Sequence, residues 1–173
     1  MATKAEWALG YARQAKADFI AFEGIQQLSA INECHKMLFL QMACEKLCKA
    51  FLILGGTTAQ ALQSSHGYIA NPLPVVIRQQ IVALKGTPNA MKGVQALTKH
   101  LANEIEMLNP AIDRVGQRPD NCEYPWEDAS QSLHSPLDWQ FGPSQLLITP
   151  NGRTFLKLVY AAIIGLLSEL GQL

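Results

Sequence analysis

The stretch from Cys34 to Leu54 is apolar around most of its girth while keeping one polar stripe. At ~100° per residue, Gln41, Glu45, Lys46 and Lys49 gather on one side. Met37, Leu40, Cys44, Leu47, Cys48 and Phe51 cover the other, and Leu38, Met42 and Ile53 interleave with the stripe itself. Such a pattern predicts a helix in the middle of a bundle, with the stripe as a solvated strip. Around it the chain reads as almost wholly helical. Thr3 with Glu6 forms a capping-box pattern and opens a first helix to about Leu28, with Trp7, Tyr11, Ala15, Phe22 and Ile25 on one face. Asn32 is placed to cap the second helix and Gly55-Gly56 to end it. After a loop through Ser64, Ser65 and His66, Val75 to Leu84 predicts a third helix. Thr87-Pro88 supplies an N-cap followed by proline at the first helical position, opening a fourth helix that Asn109-Pro110 stops or kinks. A last helix is expected from about Thr154 to Leu170, carrying Leu158, Val159, Ala162, Ile163, Leu166 and Leu167.

Residues 116–152 break the helical pattern. Pro119, Pro125, Pro136, Pro143 and Pro150 punctuate a polar segment that holds Tyr124, Trp126, Trp139 and Phe141. The prolines predict an ordered irregular wrap, and the aromatics predict that it packs on the bundle. No alternating segment competes as a strand, and there is no internal repeat or low-complexity tract. The expectation is a single all-α domain over 1–173, with a long proline-rich loop before the last helix.

Composition changes this picture in three places. Fourteen Lys and Arg balance fourteen Asp and Glu, so the chain lacks the excess positive charge that draws proteins to nucleic acid without regard to sequence. From Ala111 to Pro150 two arginines face six acids, which works against a phosphate backbone lying along the wrap. The four cysteines and four histidines show no metal-ligand spacing, so no metal and no cofactor is expected. The start lacks a leader pattern, and the most apolar stretches are too short or too charged to span a bilayer, so a cytoplasmic protein without a membrane partner is expected.

One residue contradicts its own helix. Asp18 falls on the apolar face of the first helix, where an unpaired carboxylate would cost several kcal/mol. It needs a partner, with Lys46, Lys49, Arg114 or Arg118 as candidates by charge and Tyr68, Tyr124 or His66 as neutral donors. A buried Asp fixing the register of two helices and a carboxylate at the edge of a ligand cleft both fit. Lys46 is the ligand candidate of the polar stripe, since it lacks an acid one turn away, whereas Glu45 and Lys49 form an i, i+4 pair worth a few tenths of a kcal/mol on an exposed face. Asn121, Tyr124 and Trp126 either anchor the wrap or form a pocket wall with Asp18 and Arg118.

The first helix, Trp7-x(7)-Ala15-x(2)-Asp18-x(2)-Ala21, is followed by Phe39-x-Gln41-x-Ala43-x-Glu45-Lys46-x(2)-Lys49-Ala50-x-Leu52 and then His66. Over roughly residues 5 to 70 this pattern resembles the HEPN domain family (higher eukaryotes and prokaryotes nucleotide-binding). The resemblance implies an up-and-down four- or five-helix bundle that pairs as a homodimer around an interhelical cleft. Its members include RNases, toxin–antitoxin components, helical partners of minimal nucleotidyltransferases, and binding modules without catalysis. The RNases carry an arginine and, roughly one and a half helical turns on, a histidine facing the same cleft. Here Arg114 and Arg118 precede no histidine until His134, and Arg78 precedes none until His100. Without that imidazole and guanidinium pair, metal-independent RNA cleavage loses its acid and base, so no catalytic residue is assigned. The expected function is a non-enzymatic module binding a nucleotide, a nucleic-acid end or a protein partner. Asp18, Lys46, His66, Arg118, Asn121, Tyr124 and Trp126 are its candidate ligand residues. A divergent RNase or toxin component using His66 or His134 with Arg118, and a nucleotidyltransferase partner subunit, are the alternatives.

Overall fold

The computed structural model describes residues 2–64, 66–83, 92–111 and 121–171. The elements in order are α1 (Lys4–Ile25), α2 (Glu33–Leu54), α3 (Ala59–Gln63), α4 (Pro72–Ala83), α5 (Lys92–Met107), β1 (Trp126–Glu127), β2 (Leu133–His134), α6 (Gly142–Leu147) and α7 (Pro150–Glu169). The class is all-α apart from the β1–β2 antiparallel pair, which matches Trp126 with His134 and Glu127 with Leu133. Thr3 closes its capping box: its hydroxyl accepts from the Glu6 N–H at 3.2 Å and its own N–H donates to Glu6 Oε2 at 2.6 Å. Asn32 stands at the N-cap of α2 but its side chain makes no capping bond, and Gly56 leaves the helix at φ +110°.

Helices α1 and α2 run antiparallel along each other, joined by a short turn, and α2 also touches α4, α5, α6 and α7. Small residues make the close approach. Ala12 and Ala15 are buried on α1 with Phe19 and Phe22, against Leu40, Ala43, Cys44, Leu47 and Cys48 of α2, and Ala8 packs with Ile53 and Leu62 in a second cluster. The buried face of α1 therefore centres away from the expected Trp7–Tyr11 row: Trp7 is exposed and its ring stands 6.3 Å from Tyr11 at the edge of the helix. On the far side Phe19 stacks on Tyr160 of α7 at 5.4 Å.

Several expected boundaries are corrected. Helix α1 ends at Ile25, short of Leu28, the five-residue α3 stands where a loop was expected, and α4 and α7 begin at Pro72 and Pro150, ahead of the expected Val75 and Thr154. The wrap carries short regular elements where an irregular loop was expected. Its described part contains the β pair and α6, with Pro143 just inside the start of α6, and Pro150 opens α7 behind a Thr149 N-cap that accepts from the Gly152 N–H at 3.0 Å. Helix α5 does end just before Asn109-Pro110, while Thr87-Pro88 lies outside the described residues.

Gly152 is where α6 and α7 approach most closely. A Cβ there would fall inside contact distance of the Leu146 carbonyl and 2.6 Å from Leu147 Cα, both backbone atoms. Gly152→Ala should lower unfolding free energy by about 2 kcal/mol or more in chemical denaturation. Unchanged stability would contradict this packing of α6 on α7.

Candidate functional site

The polar stripe of α2 is not a solvated strip. Gln41 is buried, and Glu45 and Lys49 are 7% and 5% exposed. Glu45 is the hub. Its Oε1 meets Lys49 Nζ at 2.6 Å and His66 Nδ1 at 3.2 Å, while Oε2 accepts from Gln41 Nε2 at 2.8 Å and Asn109 Nδ2 at 3.5 Å. The Lys49 ammonium also stands 6.0 Å from the Tyr11 ring and 5.7 Å from the Tyr68 ring, within cation–π range. The expectation of a weak exposed pair is thus corrected. Segments from α1, the loop before α4 and the end of α5 cover the stripe, and a periodicity argument cannot see them.

Asp18 is 4% exposed and its partner is Lys46, whose Nζ donates to Oδ2 at 2.6 Å; Gln14 Nε2 donates to Oδ1 at 3.0 Å. The pair ties α1 to α2 and uses Lys46, the stripe's ligand candidate, as a counter-ion. The cleft beside it, about 240 Å³, is shallow and lined by Trp7, Gly10, Tyr11, Gln14 and Lys46. One turn of backbone that sequence reasoning passed over is tied by Glu106, buried on α5, whose Oε2 accepts from the N–H groups of Ile69 and Ala70 at 2.8 Å each. The signal was present: these donors precede the start of α4, where helical N–H groups lack intrahelical partners.

The other expected site residues lie apart from Asp18. Asn121 is sealed, and its Oδ1 accepts from the N–H groups of Glu123 and Tyr124 at 3.0 and 2.7 Å, so it shapes a turn. Tyr124 is 59% exposed. Trp126 is buried in an aromatic knot with Trp139 (centroids 5.1 Å) and His134 (5.6 Å). His134 Nε2 meets Asp128 Oδ2 at 2.8 Å, and that imidazole, followed by the Ser130 hydroxyl, holds the Asp128 carboxyl well below the usual carboxylate range. Arg118 lies outside the described residues, so the expected wall of Asp18, Arg118, Asn121, Tyr124 and Trp126 is not assembled among those described.

The largest described cavity, about 890 Å³, is an open groove at the turn end of the α1–α2 hairpin. Phe22 and Glu23 of α1 and Gln26 at its C-cap face Glu33, Lys36 and Met37 of α2. Residues 137–141 of the wrap, α6 and the first turns of α7 complete it. Ser144 of α6 donates to Glu33 Oε1 at 2.7 Å, which fixes the wall that spans from the wrap to α2. Lys36 lies ten residues before Lys46, ~15 Å along the helix at 1.5 Å per residue, so groove and Asp18–Lys46 pair are separate. Among the described residues no histidine or cysteine lines the groove.

Chemistry elsewhere is limited in a similar way. All four cysteines are buried; burial pushes the Cys44 thiol up to about 12 and raises Cys34, Cys48 and Cys122 as well, which disfavours the nucleophilic thiolate. Among the described residues no cluster of three His, Cys, Asp or Glu is placed to hold a metal, and no helix is long and apolar enough to cross a membrane. Comparison of the chain with family models, with curated proteins and with solved structures gives no match.

If the Glu45 hub is one unit, its members will not behave independently. Glu45→Gln and Lys49→Met should each cost about 3 kcal/mol in denaturant unfolding, because each leaves a buried partner unpaired. The double variant should cost at least ~1 kcal/mol less than their sum. Additive costs would show that the two charges are not coupled.

Proposed function

We propose that this chain is a HEPN-like helical module, non-enzymatic and homodimeric, that holds its ligand in the groove at the turn end of the α1–α2 hairpin. The observation that carries the reading is the division of labour along α2. Its C-terminal half spends the family-like Gln41, Glu45, Lys46 and Lys49 on internal partners, while its N-terminal half opens onto a cavity of about 890 Å³. A cavity of that size lies in the range of small-ligand sites, and charged and polar groups converge on it beside the open Leu137 and Ile148 side chains. The groove brings no imidazole to a bound molecule, which favours binding over proton transfer. The ligand classes that the resemblance implies are a nucleotide, a nucleic-acid end or a protein partner, including the catalytic subunit of a minimal nucleotidyltransferase.

Pairing with a second copy, which the resemblance implies, finds no face on α2, because that helix is enclosed by its own chain. The support moves to α4, where Val75 and Val82 share a face and are exposed. A dimeric mass by light scattering at micromolar concentration, shifted toward monomer by Val82→Glu, is the expected result.

A second reading has one observation in its favour. His66, 44% exposed at its side chain, is oriented through Nδ1 by the Glu45 carboxylate, and its Nε2 makes no hydrogen bond among the described residues. That is the arrangement of a carboxylate-oriented general base, and it suits a divergent metal-independent RNase or toxin. Mixed RNAs incubated with the purified protein in the absence of metal decide between the two. Intact RNA is expected; cleavage abolished by His66→Ala would overturn the binding-module reading.

A further inference from the structure

We infer that the groove selects an organic monoanion with an apolar body, an aryl- or alkyl-carboxylate, held by Lys36 beside an apolar wall. The inference rests on the groove reading above and, within it, departs from the nucleotide and nucleic-acid end that the resemblance implies in favour of the chemistry that the lining itself recognises.

Phe22, Met37 and Phe141 are almost fully covered at the base of the groove, and the apolar surface that stays open to it comes from Leu137, Trp139 and Ile148, among polar and charged neighbours. Three donors belong to the same lining and are poorly used. The Lys36 side chain is only 13% exposed, yet its ion-pair partner Glu33 stands at 3.7 Å and commits its other oxygen to Ser144. Gln26 Nε2 and Trp139 Nε1 are buried and donate to nothing among the described residues. Buried donors without acceptors are uncommon in folded proteins, and both belong to side chains of this lining, so a rotation of either would present a donor to an acceptor bound in the groove. An anionic oxygen on Lys36 would supply what Glu33 does not, and a turn of the Gln26 carboxamide would bring a second donor to the same group.

Charge limits that anion to one unit. Glu23, Glu33 and Asp138 stand around the groove against Lys36 and Arg153, and the Arg153 guanidinium is already engaged by the Ile148 carbonyl of its own chain. A phosphate monoester or polyphosphate would bring two or more negative charges into a lining that is already net negative, which is unfavourable. A single carboxylate whose apolar body lies on Leu137, Trp139 and Ile148 meets both demands. Its binding would draw on burial of the apolar body and on one charge-assisted contact.

Calorimetric titration of the full-length protein tests this with 4-phenylbutyrate as probe, its neutral amide as isostere, and adenosine monophosphate as the competing chemistry. The carboxylate is expected to bind at least tenfold more tightly than the amide. Lys36→Met, which keeps the apolar stem, should weaken the carboxylate by about tenfold and leave the amide unchanged. Gln145→Trp, a substitution at an exposed position on the groove wall, should abolish both. Equal affinity for acid and amide, or indifference to Lys36→Met, would overturn the anion inference while leaving the groove standing if Gln145→Trp still blocks binding. Binding that survives Gln145→Trp would overturn the groove itself. Tighter binding of adenosine monophosphate, lost in Gln145→Trp, or no binding of either phenylbutyrate probe, would overturn the carboxylate class.

Discussion

Taking the Glu45 carboxylate out of water sets the terms for what packs around α2. A charge at that depth costs several kcal/mol unless it is paired and its oxygens are satisfied. The chain meets this from three segments: Lys49 and Gln41 on α2 itself, His66 from the loop before α4, and Asn109 just past α5. The His66 and Asn109 contacts tie the loop before α4 and the chain just past α5 to α2. The 66–71 loop is held from two sides, by Glu45 at His66 and by Glu106 at Ile69 and Ala70. The polar stripe therefore organises the fold, and its loss would release the loop and the end of α5 together.

The same helix leaves room at its other end. There α1 turns into α2, α6 and the wrap lean across and cover Phe22 and Met37, and the groove stays open along Glu33, Lys36, Leu137 and Ile148. The Ser144 to Glu33 bond and the close Gly152 packing hold this roof in place, so the groove is a standing feature of the fold. The aromatic knot of Trp126, His134 and Trp139 braces the wrap from behind and places the Trp139 indole on the groove wall.

Much of the helical order was legible in the sequence, because the apolar girth of Cys34 to Leu54 and the Thr3 capping box are strong local signals. Asp18 was legible as a buried residue needing a partner, and Lys46 was among the partners its charge allowed. The covering of Glu45 and Lys49 was not legible: periodicity assigns residues to a face and says nothing about what covers it. Thr149-Pro150 carries the N-cap and proline pattern used to place a helix at Thr87-Pro88, but among so many prolines it read as loop punctuation. Lys36 had no signal at all, since beside Glu33 it looks like any surface i, i+3 pair, and Ser144 lies 111 residues away.

The central claim is that α2 divides into a structural half and a ligand-facing half. Nuclear magnetic resonance of the labelled protein during titration with 4-phenylbutyrate tests it most directly. Shifts concentrated at the Met37 methyl and the Trp139 indole N–H, with the His66 imidazole and the Tyr68 ring unmoved, are the result this account predicts. Shifts centred on His66, Tyr68 and Lys49, with Met37 and Trp139 silent, would contradict it.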